Sequence, residues 1–240
     1  MSYDWQAMLV FLATLIGATA ALRFLAFRIP ALQRMRELNL EADQKKLSRK
    51  RFAEAVKASN RSGLATNVVF YAALVPFCIS LEPRPLWRHA VDVVAVLMTF
   101  DFFYYLTHRF VFHGKLLHKV HALHHQARTP THIDAYYVHP LETAIGLILF
   151  LGSIPLVAAL SGAPLGAWSM AVATLVFTQR NIVNHTFVNL PYFPFQTLST
   201  ITQVHAAHHI DMSHGNYATL TMLYDRLLGT YEAPVSRPAP

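Results

Sequence analysis

The chain has one cysteine, Cys78, set inside an apolar run, so neither a disulfide framework nor thiolate metal ligation is open to it. Charge is scarce as well. Charged residues make up 14% of the 240 positions against 54% hydrophobic, a balance that points away from a soluble globule and toward a membrane. There is no HExxH zinc motif, no Glu-x-x-His pair of the soluble carboxylate bundles, no flavin or nicotinamide fingerprint and no haem-binding appendage. Any metal must be held by nitrogen or oxygen, and any electrons must come from elsewhere. The N-terminus lacks the basic region and small-residue cleavage site of a secretory signal, so residues 5–22 are expected to be a retained anchor. No nucleic-acid-binding module accompanies the basic charge. Beyond a doubled histidine motif there is no internal repeat, and the only low-complexity stretch is the short proline-rich tail after Glu232.

What is present begins with long uncharged runs. Residues 5–22 and 63–81 carry no charge and approach the ~20 residues that a spanning helix needs. Residues 143–178 are uncharged over 36 positions, interrupted by Pro155 and by Ser-Gly-Ala-Pro at 161–164, which predicts a helical hairpin turning at Gly162 and Pro164. Residues 90–107 form a further candidate span that carries Asp92 and Asp101; carboxylates at that depth face protein or a functional cavity. The stretch 28–61 holds ten Lys or Arg against four Asp or Glu, which makes it cytoplasmic under the positive-inside rule. Threading the spans from there puts 13 of the 14 histidines on the cytoplasmic face. The basic stretch itself reads as a solvated helix along anionic headgroups, with a docking surface for an acidic electron donor as the sharper alternative.

The histidines are clustered. HxxHH occurs twice, at His121, His124 and His125 and again at His205, His208 and His209. On a helix, positions i, i+3 and i+4 share a face, so each triplet can hold one ion or the two can share a pair. His108 and His113 are five apart, about 140° around an ideal helix of ~3.6 residues per turn, so they serve different ions or the helix ends between them. His185 has Asn181 one turn before it, a candidate oxygen ligand or outer partner. Neutral imidazoles crowd together without a metal only if each finds a hydrogen-bond partner, and carboxylates are few here. Eight or more histidines exceed the capacity of one ion, which predicts two. At a membrane edge such a site suits attack on a lipid C–H bond by activated oxygen; zinc has no redox chemistry, so iron is the metal expected.

The order of motifs resembles the sterol desaturase and fatty acid hydroxylase family of membrane di-iron oxygenases. DFFYYLTHRFVFH (101–113), HKVHALHH (118–125), VHPLE (138–142), NHTFVNLP (184–191), HAAHHIDMSHGNYA (205–218) and YDRLLGTY (224–231) carry the resemblance, over more than half of the chain. Tyr224 stands where the family usually has tryptophan. The resemblance implies iron ligands at His108, His113, His121, His124, His125, His185, His205, His208 and His209. His139 is a candidate ligand or a structural corner beside Pro140 and Glu142. Asp101 and Tyr105 are candidates to orient His108 from outside the ligand set, and His118 and His214 are outer groups at most.

The expectation is therefore an all-α integral membrane protein of about four to five transmembrane helices with a cytoplasmic histidine-rich helical cap holding a di-iron site. Residues 1–62 are expected to form an anchor helix and basic segment, 63–232 the catalytic domain and 233–240 a tail. The implied activity is O2-dependent hydroxylation or desaturation of a lipid, with two Fe ions, O2 as co-substrate, and a ferredoxin or a b-type cytochrome with its reductase as external donor. Phe102, Phe103 and Tyr104 are aromatics that either pack between helices, the favoured role, or line the cavity. The other readings are a metal-dependent hydrolase or isomerase, and a non-catalytic transporter or sensor.

Overall fold

The computed structural model describes residues 2–236 and 239–240. Among them the elements are α1 (Trp5–Ala26), α2 (Pro30–Leu47), α3 (Lys50–Ala73), α4 (Leu86–Thr107), α5 (His118–His121), α6 (Pro140–Ser161), α7 (Ala167–His185), α8 (Gln196–His208) and α9 (Leu223–Leu227), with a two-residue parallel bridge between β1 (Ile79–Ser80) and β2 (Leu165–Gly166). Asp4 starts α1 by accepting the Ala7 N–H on its carboxylate at 2.8 Å. Proline opens α2 and α6, where its missing N–H costs nothing.

The helices pack in a row, α3 on α6, α6 on α4, α4 on α7 and α7 on α1, with α8 laid against α7. Aromatic stacking seals the centre: Phe150 lies flat on Phe177 at 4.0 Å, and Phe100 meets both edge-on at 5.7 and 5.0 Å. The outside is apolar too. Ile16 is 68% exposed, Leu64 66% and Leu160 79%, surfaces that water would penalise and hydrocarbon would not. Among the described residues three helices are long and apolar enough to cross a membrane, namely Trp5–Ala26, Leu86–Phe112 and Pro140–Ser161.

The predicted hairpin is present. α6 runs through Pro155 and ends at Gly162, whose φ of 68° lets the chain reverse into α7. The apolar run 63–81, in contrast, is not one helix. α3 starts earlier, at Lys50, and stops at Ala73 ahead of Pro76, after which the chain makes a short 3-10 turn and enters β1. α3 is also unbroken across positions 62 and 63, where the sequence reading divided anchor from catalytic domain. Both deep carboxylates of α4 face protein: Asp92 accepts from Arg84 at 2.8 Å and from the Gly166 N–H at 3.0 Å, tying α4 to the hairpin turn. The basic helix α2 is not solvated all round, since Asn39, Ala42 and Asp43 are buried.

Candidate metal centre

The fourth helix does not end where its α-helical hydrogen bonds do. From His108 to Phe112 it widens into a π turn, closed by the His113 N–H donating to the His108 carbonyl at 2.9 Å. An i to i+5 repeat brings residues five apart over one another, so His108 and His113 share a face. The ideal-helix angle assigned them to different ions or required the helix to end; the π turn overrides both alternatives.

Nine histidines then fall into two adjoining groups. His108, His113, His121, His125 and His208 form one, and His124, His185, His205 and His209 the other, with the ligating nitrogens in each group within 4.8 Å of one another. Eight of the nine are buried and His113 is half-buried. In the five-histidine group, Nε2 of His121 lies 3.0 Å from that of His108, 3.1 Å from that of His113 and 3.0 Å from that of His125, which is 3.1 Å from that of His208. In the four-histidine group the contacts are 3.0 Å from His185 to His124, 3.0 Å from His205 to His185 and 3.1 Å from His209 to His205. The groups touch: the His125 and His209 rings stack across the divide at 5.0 Å.

Protons on the far side of the rings fix what faces inward. Nδ1–H donates to a carbonyl in His108 (Tyr217, 2.7 Å), His113 (Met212, 2.8 Å), His124 (Tyr137, 3.2 Å), His185 (Asn181, 2.9 Å) and His208 (Gly215, 2.6 Å), and to the Glu142 carboxylate in His121 (2.7 Å). With the proton on Nδ1, each Nε2 presents a bare lone pair to its neighbours. Burial reinforces neutrality, holding His113 at about 4 and His208 at about 3, and lowering His121, His124, His125, His205 and His209 as well. Where both rings are so fixed, as in His108–His121, His113–His121 and His124–His185, lone pairs facing each other at 3.0–3.1 Å repel unless a cation lies between them. The donor set, imidazoles only, fits two metal ions held side by side.

The remaining sequence candidates lie outside the two groups. His139 caps α6, its Nδ1 accepting the Leu141 N–H at 3.1 Å, which is the structural-corner alternative. Asn181 meets His185 through its backbone carbonyl, and its residue lines the cavity described below. Asp101 does not touch His108. It accepts the N–H groups of Thr219, Leu220 and Thr221 at 3.2, 2.9 and 3.1 Å, pinning the segment that follows the Tyr217 carbonyl. Tyr105 likewise acts at a distance, its hydroxyl accepting from Arg109 at 2.7 Å and contacting the Thr230 hydroxyl at 3.1 Å. His118 is exposed on α5, and His214 pairs with Asp211 at 3.0 Å.

Sequence reasoning did not single out the groups that orient the rings. Glu142 is one, and its signal was the lone carboxylate at the head of an otherwise uncharged run. Asp225 is another: it accepts the Tyr217 and Ala218 N–H groups at 2.8 Å each, giving YDRLLGTY its role as the clamp behind His108. Asn216, in the left-handed region at φ 61°, donates to the Val204 carbonyl at 3.1 Å and so fixes the loop that carries Gly215 and Tyr217 against α8. Carbonyl partners have no sequence signature at all.

A cavity of about 300 Å³ opens below the histidines. Phe100, Tyr104, Leu147 and Phe177 line it together with polar Asn60, Asn67 and Glu142, and His108, His124, His185 and His205 contribute to the same lining. Phe102 and Phe103 do not line it; they are 39% and 41% exposed on the outer face of α4.

The chain matches the fatty acid hydroxylase family model over residues 93–230. It is 31% identical over 135 residues to methylsterol monooxygenase 1 of Rattus norvegicus, covering 54% of this chain and 43% of that protein. It is 29% identical over 151 residues to ornithine lipid hydroxylase OlsE of Rhizobium tropici (62% and 44%), and 35% identical over 156 residues to very-long-chain aldehyde decarbonylase GL1-11 of Oryza sativa subsp. indica (62% and 55%). The chain thus spans about half or less of the length of these relatives. No solved structure matches. With membrane-length apolar helices, two all-imidazole clusters and a family match covering more than half of its residues, the chain belongs to the fatty acid hydroxylase family of membrane proteins.

Proposed function

We propose that the protein is a membrane di-iron oxidoreductase that uses O2 to hydroxylate or desaturate an unactivated C–H bond of a lipid. The observation that carries this reading is the pair of adjoining five- and four-histidine groups, of which His108, His124, His185 and His205 line a mostly apolar cavity. His108, His113, His121, His125 and His208 would hold one iron and His124, His185, His205 and His209 the other. Five and four donors are fewer than an octahedron accepts, which leaves room for O2 and favours iron over zinc. When bound, the metal supplies the redox chemistry that activates O2.

The chain's own residues supply the rest. The cavity walls at Phe100, Tyr104, Leu147 and Phe177 select an apolar segment of substrate and exclude bulk water. Glu142 accepts the hydrogen bond of the His121 Nδ1–H and holds that ring in the tautomer that ligates. α7 is the natural fourth span, since it returns from α6 through a tight turn, and the catalytic region is residues 63–232. By the charge of residues 28–61 the histidine cap faces the cytoplasm, where an external ferredoxin or b-type cytochrome with its reductase delivers electrons.

The test is metal content of the detergent-purified full chain, with lipid analysis of expressing cells. About two irons per chain, a dithionite-reducible signal and an oxygenated lipid absent from cells with His124→Ala support the reading. Stoichiometric zinc from iron-replete cells without any redox signal points instead to a hydrolase or a non-catalytic metal protein.

A further inference from the structure

The family match starts at residue 93, yet the four-histidine centre is held in part from outside it. α2 turns one face, Asn39, Asp43 and Lys46, into the protein at helical spacing. Asn39 is 2% exposed. Its side-chain oxygen accepts the Phe187 N–H at 2.9 Å and the His132 N–H at 3.2 Å, and its amide donates to the Phe187 carbonyl at 2.8 Å. Asp43, 4% exposed, accepts the Thr131 hydroxyl at 2.7 Å and the Ile133 N–H at 3.2 Å. Lys46 pairs with Asp134 and donates to the Thr129 carbonyl at 3.1 Å.

Both gripped segments lead to ligand histidines. Phe187 lies two residues beyond His185 at the end of α7. The turn 131–136 leads into Tyr137, whose N–H donates to the Asp134 carbonyl at 3.1 Å and whose own carbonyl accepts the His124 Nδ1–H at 3.2 Å. Phe52 of α3 stacks on the Tyr137 ring at 4.2 Å and 11°. His124 and His185 both belong to the four-histidine group. The five-histidine group takes its Nδ1 partners from Glu142, Met212, Gly215 and Tyr217, and none of the α2 hydrogen bonds reaches those residues.

Resting on the reading of the two groups as metal centres, we infer that α2 is a positioning element for the four-histidine centre alone, with Asn39 and Asp43 its two grips. The basic segment before the family domain is then a working part of one metal site. Removing a group that orients a ligand costs about 10–100-fold in metal affinity, so the inference predicts a selective loss.

The experiment titrates Co2+ into the metal-free full-length protein in detergent and follows its visible spectrum and bound stoichiometry. Asn39→Ala and Asp43→Ala are expected to weaken one of two equivalents about 10–100-fold and leave the other unchanged. Asp43→Asn, which keeps the accepting oxygen for Thr131 and Ile133, restores both. Glu142→Gln is expected to weaken the opposite equivalent, and combined with Asp43→Ala to weaken both. Two unchanged equivalents in the alanine variants, or equal loss of both in protein that elutes from size-exclusion chromatography as the unsubstituted protein does, overturns the inference. Fewer than two equivalents in the unsubstituted protein overturns the underlying two-centre reading, and this inference with it.

Discussion

His124 and His208, the middle histidines of their two HxxHH motifs, have exchanged places: His124 sits with His205 and His209, 4.6 Å from the His209 ring, and His208 sits with His121 and His125, 4.6 Å from the His125 ring. Each motif gives its i and i+4 members to one centre and its i+3 member to the other. The sequence left open whether the triplets bind separately or share; the fold makes them share.

That exchange predicts crossed losses. His208→Ala should weaken the equivalent held by His121 and His125, although its own motif supplies the other centre, and His124→Ala should do the reverse. Each variant is expected to retain about one metal per chain. Adding His121→Ala to His208→Ala should cost nothing further in stoichiometry, whereas adding His205→Ala should abolish binding; metal analysis after gel filtration distinguishes the two.

Glu142 holds His121 through one oxygen, while its other oxygen is buried without a hydrogen-bond partner. Glu142→Gln keeps the size but offers the His121 Nδ1–H a weaker acceptor. The expected result is a drop of about 10–100-fold in affinity at the five-histidine centre with little change in thermal stability. Unaltered affinity would reduce Glu142 to a packing role.

The π turn should tolerate no side chain after it. A Cβ on Gly114 would lie 1.9 Å from the Phe110 carbonyl oxygen, a backbone atom that cannot step aside, whereas a Cβ on Gly17 meets nothing within 4 Å. Gly114→Ala is expected to cost more than about 2 kcal/mol and to detach His113 from its centre. Gly17→Ala, on an exposed face of α1, should be neutral or mildly stabilising. Detergent thermal-shift measurements on both variants check this.

Acid should destabilise the metal-free protein. His113 at about 4 and His208 at about 3 lie below the ~6.5 of an unfolded chain, so between these values the unfolded state binds protons that the folded state refuses. Their contribution to stability is complete above pH ~6.5 and is lost as pH falls through the folded values. The unfolding midpoint in detergent is expected to be lower at about pH 5 than at about pH 7.5; a midpoint that rises on acidification would contradict the burial argument.

Legibility tracked the range of the interaction. The α6–α7 hairpin was readable because Gly162 and Pro164 act on their own backbone. The end of α3 is not legible in the hydropathy of 63–81, which runs on past the helix, because Pro76 and the β1–β2 bridge decide where the helix stops. The orientation of α2 was missed because Asn39 and Asp43 look like ordinary polar residues until Phe187 and Thr131, far along the chain, come to meet them.

The sequence by itself determined the membrane character, the helical class and the nine imidazoles that gather, because apolar run length and residue type are local properties and imidazole is the chain's abundant neutral nitrogen donor. Only the tertiary structure decided which histidine joins which centre. That division depends on a π turn, on helix crossings and on carbonyls such as those of Tyr137, Gly215 and Tyr217, which every residue possesses and no residue name reveals.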